Sequence, residues 1–234
     1  MAYKRRPWTL LPHGQLTKIE DNLWAVENNI PGARFPRRMS IIRLKNSSLL
    51  FFHAIPIDDT TIAEIKSLGY PEFLVIGHDQ HAMDAEAFRE KLGLKAYCPI
   101  ECEVKARERV EISGTLSDIP HDDSIDILSL PGTKHGEAAI VVKSPNGHVS
   151  LLVSDVIMNV PKEEAGLPFR FFGFTGGPKI VPAFRRLFIK DKDSVKKALN
   201  EWAKIPGLSR LVPFHGHIIE TNAAAAVRGA AAAL

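Results

Sequence analysis

Cysteine is scarce in this 234-residue chain: Cys98 and Cys102, in "CPIEC", are the only two. That is too few for a disulfide framework, and C-x-x-x-C without a second pair is a weak zinc pattern, so buried or incidental thiols are expected. Long apolar runs are missing too. No stretch approaches the roughly 20 residues that span a bilayer, and the apolar run in "MAYKRRPWTLLPHG" is too short for an export signal. The expectation is a cytoplasmic protein without a transmembrane segment. Charge of one sign is also lacking: 30 Lys and Arg against 27 Asp and Glu leave a net +3, without the dense basic stripe of a nucleic-acid binder. No nucleic-acid partner is expected.

What is present is the makeup of a folded chain, 45% hydrophobic and 24% charged, read as one domain over residues 1–234. Short runs rich in β-branched and large apolar residues read as strands: "LWAVEN", "MSIIRL", "SLLFFHAI" and "FLVIGH" early, "DILSL", "AAIVVKS", "HVSLLVSD" and "RLVPFHG" later. Asn146-Gly147 in "SPNG" predicts a hairpin between two of them. Helical periods lie between, in "DTTIAEIKSLG", with Asp58 or Asp59 as cap, in "DAEAFREKLGL", and in the final "TNAAAAVRGAAAAL".

Open sheets flanked by helices place their chemistry at strand ends, and there the histidines and aspartates gather. His78 and His81 follow "FLVIG", His135 lies between two strands, Asp155 ends "SLLVSD", and His215 and His217 follow "RLVPF". Each is a ligand type suited to zinc or iron. A carboxylate at the end of an apolar run needs a partner, so a metal, a cation or a cap is expected beside Asp155. His53, inside "LLFFHAIPI", reads as a hydrogen-bonded core histidine.

This order of residues resembles the metallo-β-lactamase superfamily, with His78 and His81 as the early cluster, His135 before Gly136, Asp155 in "VSD" and His215 in "HG". A closer resemblance, at "LWAVENN", "RRMSIIRLKNSSLLFFHAIPID" and "LGYPEFLVIGHDQHAMDAEAFREKLGLKAYCP", is to a branch of it known as a domain of unknown function. The resemblance implies an α/β fold, a four-layer αββα sandwich of two facing mixed sheets flanked by helices. It implies one or two zinc ions, or another divalent metal such as iron or manganese, held by His78, His81, His135, Asp155 and His215. Catalytic carboxylates would be Asp155 and Asp84.

The chain departs from the H-x-H-x-D-H of the well-studied hydrolases. In strict register only His78 survives, with Gln80, Ala82 and Met83 at the other positions; a shifted register uses His81, with Asp79 or Asp84 nearby. The implied activity is metal-dependent hydrolysis of an ester, thioester, lactone, amide or phosphoester. The alternatives are a metal-poor scaffold that binds a ligand or partner, and iron-dependent redox chemistry.

From Phe169 to Lys197 aromatic and basic residues crowd together. One reading buries Phe184, Leu187 and Phe188 on a helix while Arg185, Arg186 and Lys190 stay in water. The other makes residues 160–197 a lid that attracts an anionic or amphiphilic small-molecule substrate. Contact with a membrane surface is a third.

Overall fold

The computed structural model describes residues 6–234. Met1–Arg5, the start of the stretch weighed above as an export signal, lie outside them. A seven-stranded sheet runs in chain order through β1 (Thr17–Glu20), β2 (Leu23–Asn29), β3 (Pro36–Arg43), β4 (Ser48–Phe52), β5 (Tyr70–Val75), β6 (Lys95–Cys98) and β7 (Gly114–Thr115). Its first four strands pair antiparallel and β4 to β7 pair parallel. Parallel pairs need crossovers, which α1 (Asp59–Leu68) supplies between β4 and β5 and α2 (Ala85–Leu92) between β5 and β6.

The second sheet has four strands, β8 (Ile125–Ser129), β9 (Ala138–Lys143), β10 (Val149–Val153) and β11 (Leu208–Pro213), in the order β11-β10-β9-β8. The β9–β10 hairpin turns at the expected Asn146-Gly147, where the Gly147 N–H donates to Ser144 O. β11 joins β10 in parallel. The remaining helices are α3 (Glu103–Ala106), α4 (Leu167–Phe171), α5 (Pro182–Leu187), α6 (Lys192–Trp202) and α7 (Ala223–Ala232).

Side chains alternate across a strand, and β4 shows why its sequence is apolar throughout. Leu50 and Phe52 join a layer between the sheets with Phe73, Ile140 and Leu152; Leu49 and Phe51 face the opposite way, onto Ile65 and Phe88 of α1 and α2. A third layer lies on the outer face of the second sheet, where Val195, Leu199 and Val227 of α6 and α7 cover Leu151 and Leu211. These layers make the αββα sandwich that the resemblance implied. Asp58 caps α1, its carboxylate accepting the Thr61 N–H at 2.7 Å. Among the described residues no helix is long and apolar enough to cross a membrane.

One consequence of this topology fixes the site. The carboxyl ends of β4, β5, β10 and β11 carry His53, His78, Asp155 and His215 just beyond their last residues. The Ala138 N–H donates to Gly77 O and the Arg38 N–H to Phe214 O, tying the two sheets to one another at these ends.

Candidate metal centre

A 3-10 turn over Asp79–Ala82 follows β5 and Gly77. Residues three apart eclipse in such a turn, so His78 and His81 project together, with ring centroids 4.0 Å apart. Both reach the carboxylate of Asp155: His78 Nε2 donates to Oδ2 at 3.1 Å, and His81 Nε2 lies 3.3 Å from the same oxygen. It is thus His81, the residue of the shifted register, that lies beside His78 and Asp155. Of the strict-register positions, Gln80 and Met83 are exposed and Ala82 is buried.

His215 comes from the other sheet. Its Nδ1–H donates to Pro36 O at 2.6 Å, and a carbonyl oxygen can only accept, so the hydrogen sits on Nδ1. Burial, together with His78 and Arg37, holds its pKa below the usual imidazole range in spite of Asp155 and the Pro36 carbonyl, which favours the neutral ring. Its Nε2 therefore carries a bare lone pair, 3.4 Å from Asp155 Oδ1. That carboxylate oxygen is buried without a hydrogen-bond partner. Two acceptors face each other here, an arrangement that a cation between them would relieve.

The electrostatics follow from burial. Removal from water opposes charge on every group, but the imidazoles hold the Asp155 carboxyl well below its ordinary range, and the Asp155 carboxylate raises His78 above its own. His81, with less compensation, is lowered to about 3 by burial and by His78.

Around this centre lies a support that the sequence did not announce. Ser154, wholly buried, places Oγ 3.1 Å from His81 Nδ1 and 3.2 Å from His53 Nε2. His53 is thus the hydrogen-bonded core histidine expected, but it is held in the left-handed region at φ 67°, sparsely populated by residues other than glycine. A Cβ on Gly77 would collide with the His53 ring and with Ser154 Oγ, which is why the turn reads "GH". Glu137, wholly buried, accepts the Val156 N–H at 2.7 Å, and burial lifts its carboxyl to about 8. Only the single acidic residue before "AAIVV" could have signalled it.

The remaining candidates fall in different places. His135 shares a small cavity of about 10 Å³ with His78, Asp155, Phe184 and Phe188. Its Nδ1 lies 3.4 Å from Oδ1 of the buried Asp79, named from the sequence only as an alternative to Asp84, and 3.5 Å from Lys105 Nζ. Burial lowers its pKa, against the pull of Asp79. Asp84 stands apart from the cluster: its carboxylate, 1% exposed, accepts from Arg37 Nη1 at 2.6 Å, with Arg6 at 3.7 Å. It makes no side-chain bond to the helix it precedes. His217 is exposed and pairs with Glu164 at 2.6 Å, so His215 is the histidine that turns inward. Leu187, expected in the core beside Phe184, points outward at 54% exposure, because a six-residue α5 has room for little more than Phe184 on its inner face. Cys98 and Cys102 are both buried and unbridged, as expected.

A divalent ion fits these donors. One ligand atom from each of His78, His81 and Asp155 lies within 4.8 Å of the others, and His215 Nε2 and Asp155 Oδ1 supply the facing lone pairs.

No family model matches the chain, the expected branch included, and no curated protein matches its sequence. Solved structures do match. A metallo-β-lactamase from Pontibacter korlensis aligns over 94% of this chain and 99% of its own with a TM-score of 0.64 at 12% identity. FIM-1 from Pseudomonas aeruginosa, a metallo-β-lactamase in its mono-zinc form, aligns over 100% and 98% with a TM-score of 0.63 at 14% identity. The metallo-β-lactamase DIM-1 aligns over 95% and 99% with a TM-score of 0.63 at 13% identity. With its two mixed sheets, its helical outer layers and its polar cluster at the strand ends, this chain has the metallo-β-lactamase fold.

Proposed function

We propose that the protein is a metal-dependent hydrolase of a small-molecule substrate, with zinc, or iron or manganese in its stead, held by His78, His81, Asp155 and His215. The observation that carries this reading is the pair of opposed acceptors, His215 Nε2 and Asp155 Oδ1, 3.4 Å apart and buried. A divalent ion, when bound, supplies Lewis acidity and brings the acidity of water near neutral pH.

The chain's own residues do the rest. Pro36 O fixes the His215 tautomer and Ser154 orients His81, so both rings present Nε2 to the centre. Asp155 offers one oxygen to each side of the cluster. His135, between the cavity and Asp79, stands where it can hold or pass a proton at its imidazole, and Phe184 and Phe188 exclude water from that wall. The substrate classes are an ester, thioester, lactone, amide or phosphoester.

Elemental analysis tests the reading. Protein purified without chelator should carry close to one equivalent of zinc, iron or manganese, and Asp155→Ala and His215→Ala should lose it. Unchanged metal in both variants would overturn the ligand assignment. The competing reading, a scaffold without metal, draws on the departure from H-x-H-x-D-H at Gln80, Ala82 and Met83. Under it, wild-type protein would contain less than about a tenth of an equivalent, and its melting point would not respond to added metal.

A further inference from the structure

Half of the protein's 12 phenylalanines lie between residues 165 and 190, a segment with five Lys and Arg and no Asp or Glu. Four of these rings turn inward. Phe169 stacks on Phe35 at 4.4 Å, Phe174 meets Phe35 edge-on, and Phe184 and Phe188 stack on each other at the cavity wall. The other two do not. Phe171 is 86% exposed and Phe172 63%, their ring contact being with each other, and Leu167 at 76% and Leu187 at 54% stand out beside them.

The two short helices form one surface. Gly173, at the end of α4, approaches Pro182 at the start of α5, so their outer faces adjoin. Arg170, Arg185, Arg186 and Lys190 are exposed on the same segment; Arg170 and Arg185 donate to the backbone carbonyls of Ala165 and Ala233. The nearest acids along the chain are already engaged: Glu164 pairs with His217, and Asp191 caps α6.

We propose that this face docks on an anionic lipid surface. Projecting aromatic and aliphatic side chains on a segment that also exposes cations have the chemistry of an interfacial anchor, the rings entering the headgroup region while Lys and Arg meet lipid phosphates. A second copy of the chain fits less well, because a two-fold contact would bring these cations against their own images. Single-stranded nucleic acid would use the rings by stacking but leaves Leu167 and Leu187 without a role.

Docking would turn the site toward the lipid, since α4 rests through Phe35 on His215, with ring centroids 4.7 Å apart, and α5 walls the cavity beside His135. On the hydrolase reading given above, the substrate is then an amphiphile presented by that surface.

The test is co-sedimentation of the full chain with vesicles of phosphatidylcholine alone or with 30 mol% phosphatidylglycerol. Binding is expected to the anionic vesicles only, and to weaken as salt is raised. Arg185→Gln together with Arg186→Gln should lower the partition about 25-fold, roughly fivefold per cation. Phe171→Ser with Phe172→Ser should lower it at least as much, with the melting point unchanged because both rings are outside the core. No association with anionic vesicles, or equal binding by all variants, overturns the proposal. So does a concentration-dependent dimer abolished by the phenylalanine pair, or binding to an oligonucleotide without binding to lipid. Metal content is not part of the readout, so failure here leaves the metal reading standing.

Discussion

Ser154 Oγ lies 3.1 Å from His81 Nδ1, so the residue directly before the site's carboxylate also orients one of its histidines. For Nε2 of His81 to present a lone pair, Nδ1 must carry the hydrogen and donate it, and Ser154 is the acceptor in place. Ser154→Ala should therefore weaken zinc binding about 10- to 100-fold while the fold is retained. Competition against chelators of graded affinity measures this; unaltered affinity would remove Ser154 from the site.

The same hydroxyl and the His53 ring leave no space at Gly77. Gly77→Ala should force one of them to shift, at a cost of about 1–3 kcal/mol in urea unfolding, the usual range for overpacking a closed interior. A cost below a few tenths of a kcal/mol would mean that the neighbours relax freely.

Much of this was readable from the chain. Alternating and continuous apolar runs gave the eight strands named at the outset, and "SPNG" gave the hairpin, because period and turn chemistry are local properties. The site was readable only as a set of strand-end residues. His81 was chosen over Gln80 by a 3-10 turn, whose eclipsed spacing leaves no mark in composition. Ser154 and His53 are 101 positions apart, and neither residue alone indicates that they meet. Asp79 and Asp84 looked interchangeable, five apart in one polar stretch; what separates them is Arg37, brought in from β3.

That separation is itself testable. With Arg37 and Asp84 both buried and paired at 2.6 Å, Asp84→Ala strands a buried guanidinium, and the expected loss of stability is about 3–5 kcal/mol. Metal content of the folded fraction should be unchanged. Loss of metal at full stability would return Asp84 to the site.

Far from the site, Glu20 closes a polar network on the second sheet. Its carboxylate accepts from Arg210 at 2.7 Å, from His148 at 2.8 Å and from Asn146 at 2.7 Å. Burial alone would raise its pKa, but these three donors outweigh it and lower the carboxyl from 4.5 to about 2. A folded-state value below the unfolded one means that the stabilisation is complete above about pH 4.5 and drains away as the pH falls toward 2. Solvent reaches His148 and the neighbouring Glu220, so the amount at stake is about 2 kcal/mol rather than the full shift. Glu20→Gln should flatten the fall in urea-derived stability between pH 5 and pH 2 by that amount relative to the parent. Parallel curves for parent and variant would show that Glu20 titrates alike in the folded and unfolded chains, and that Arg210 contributes nothing through it.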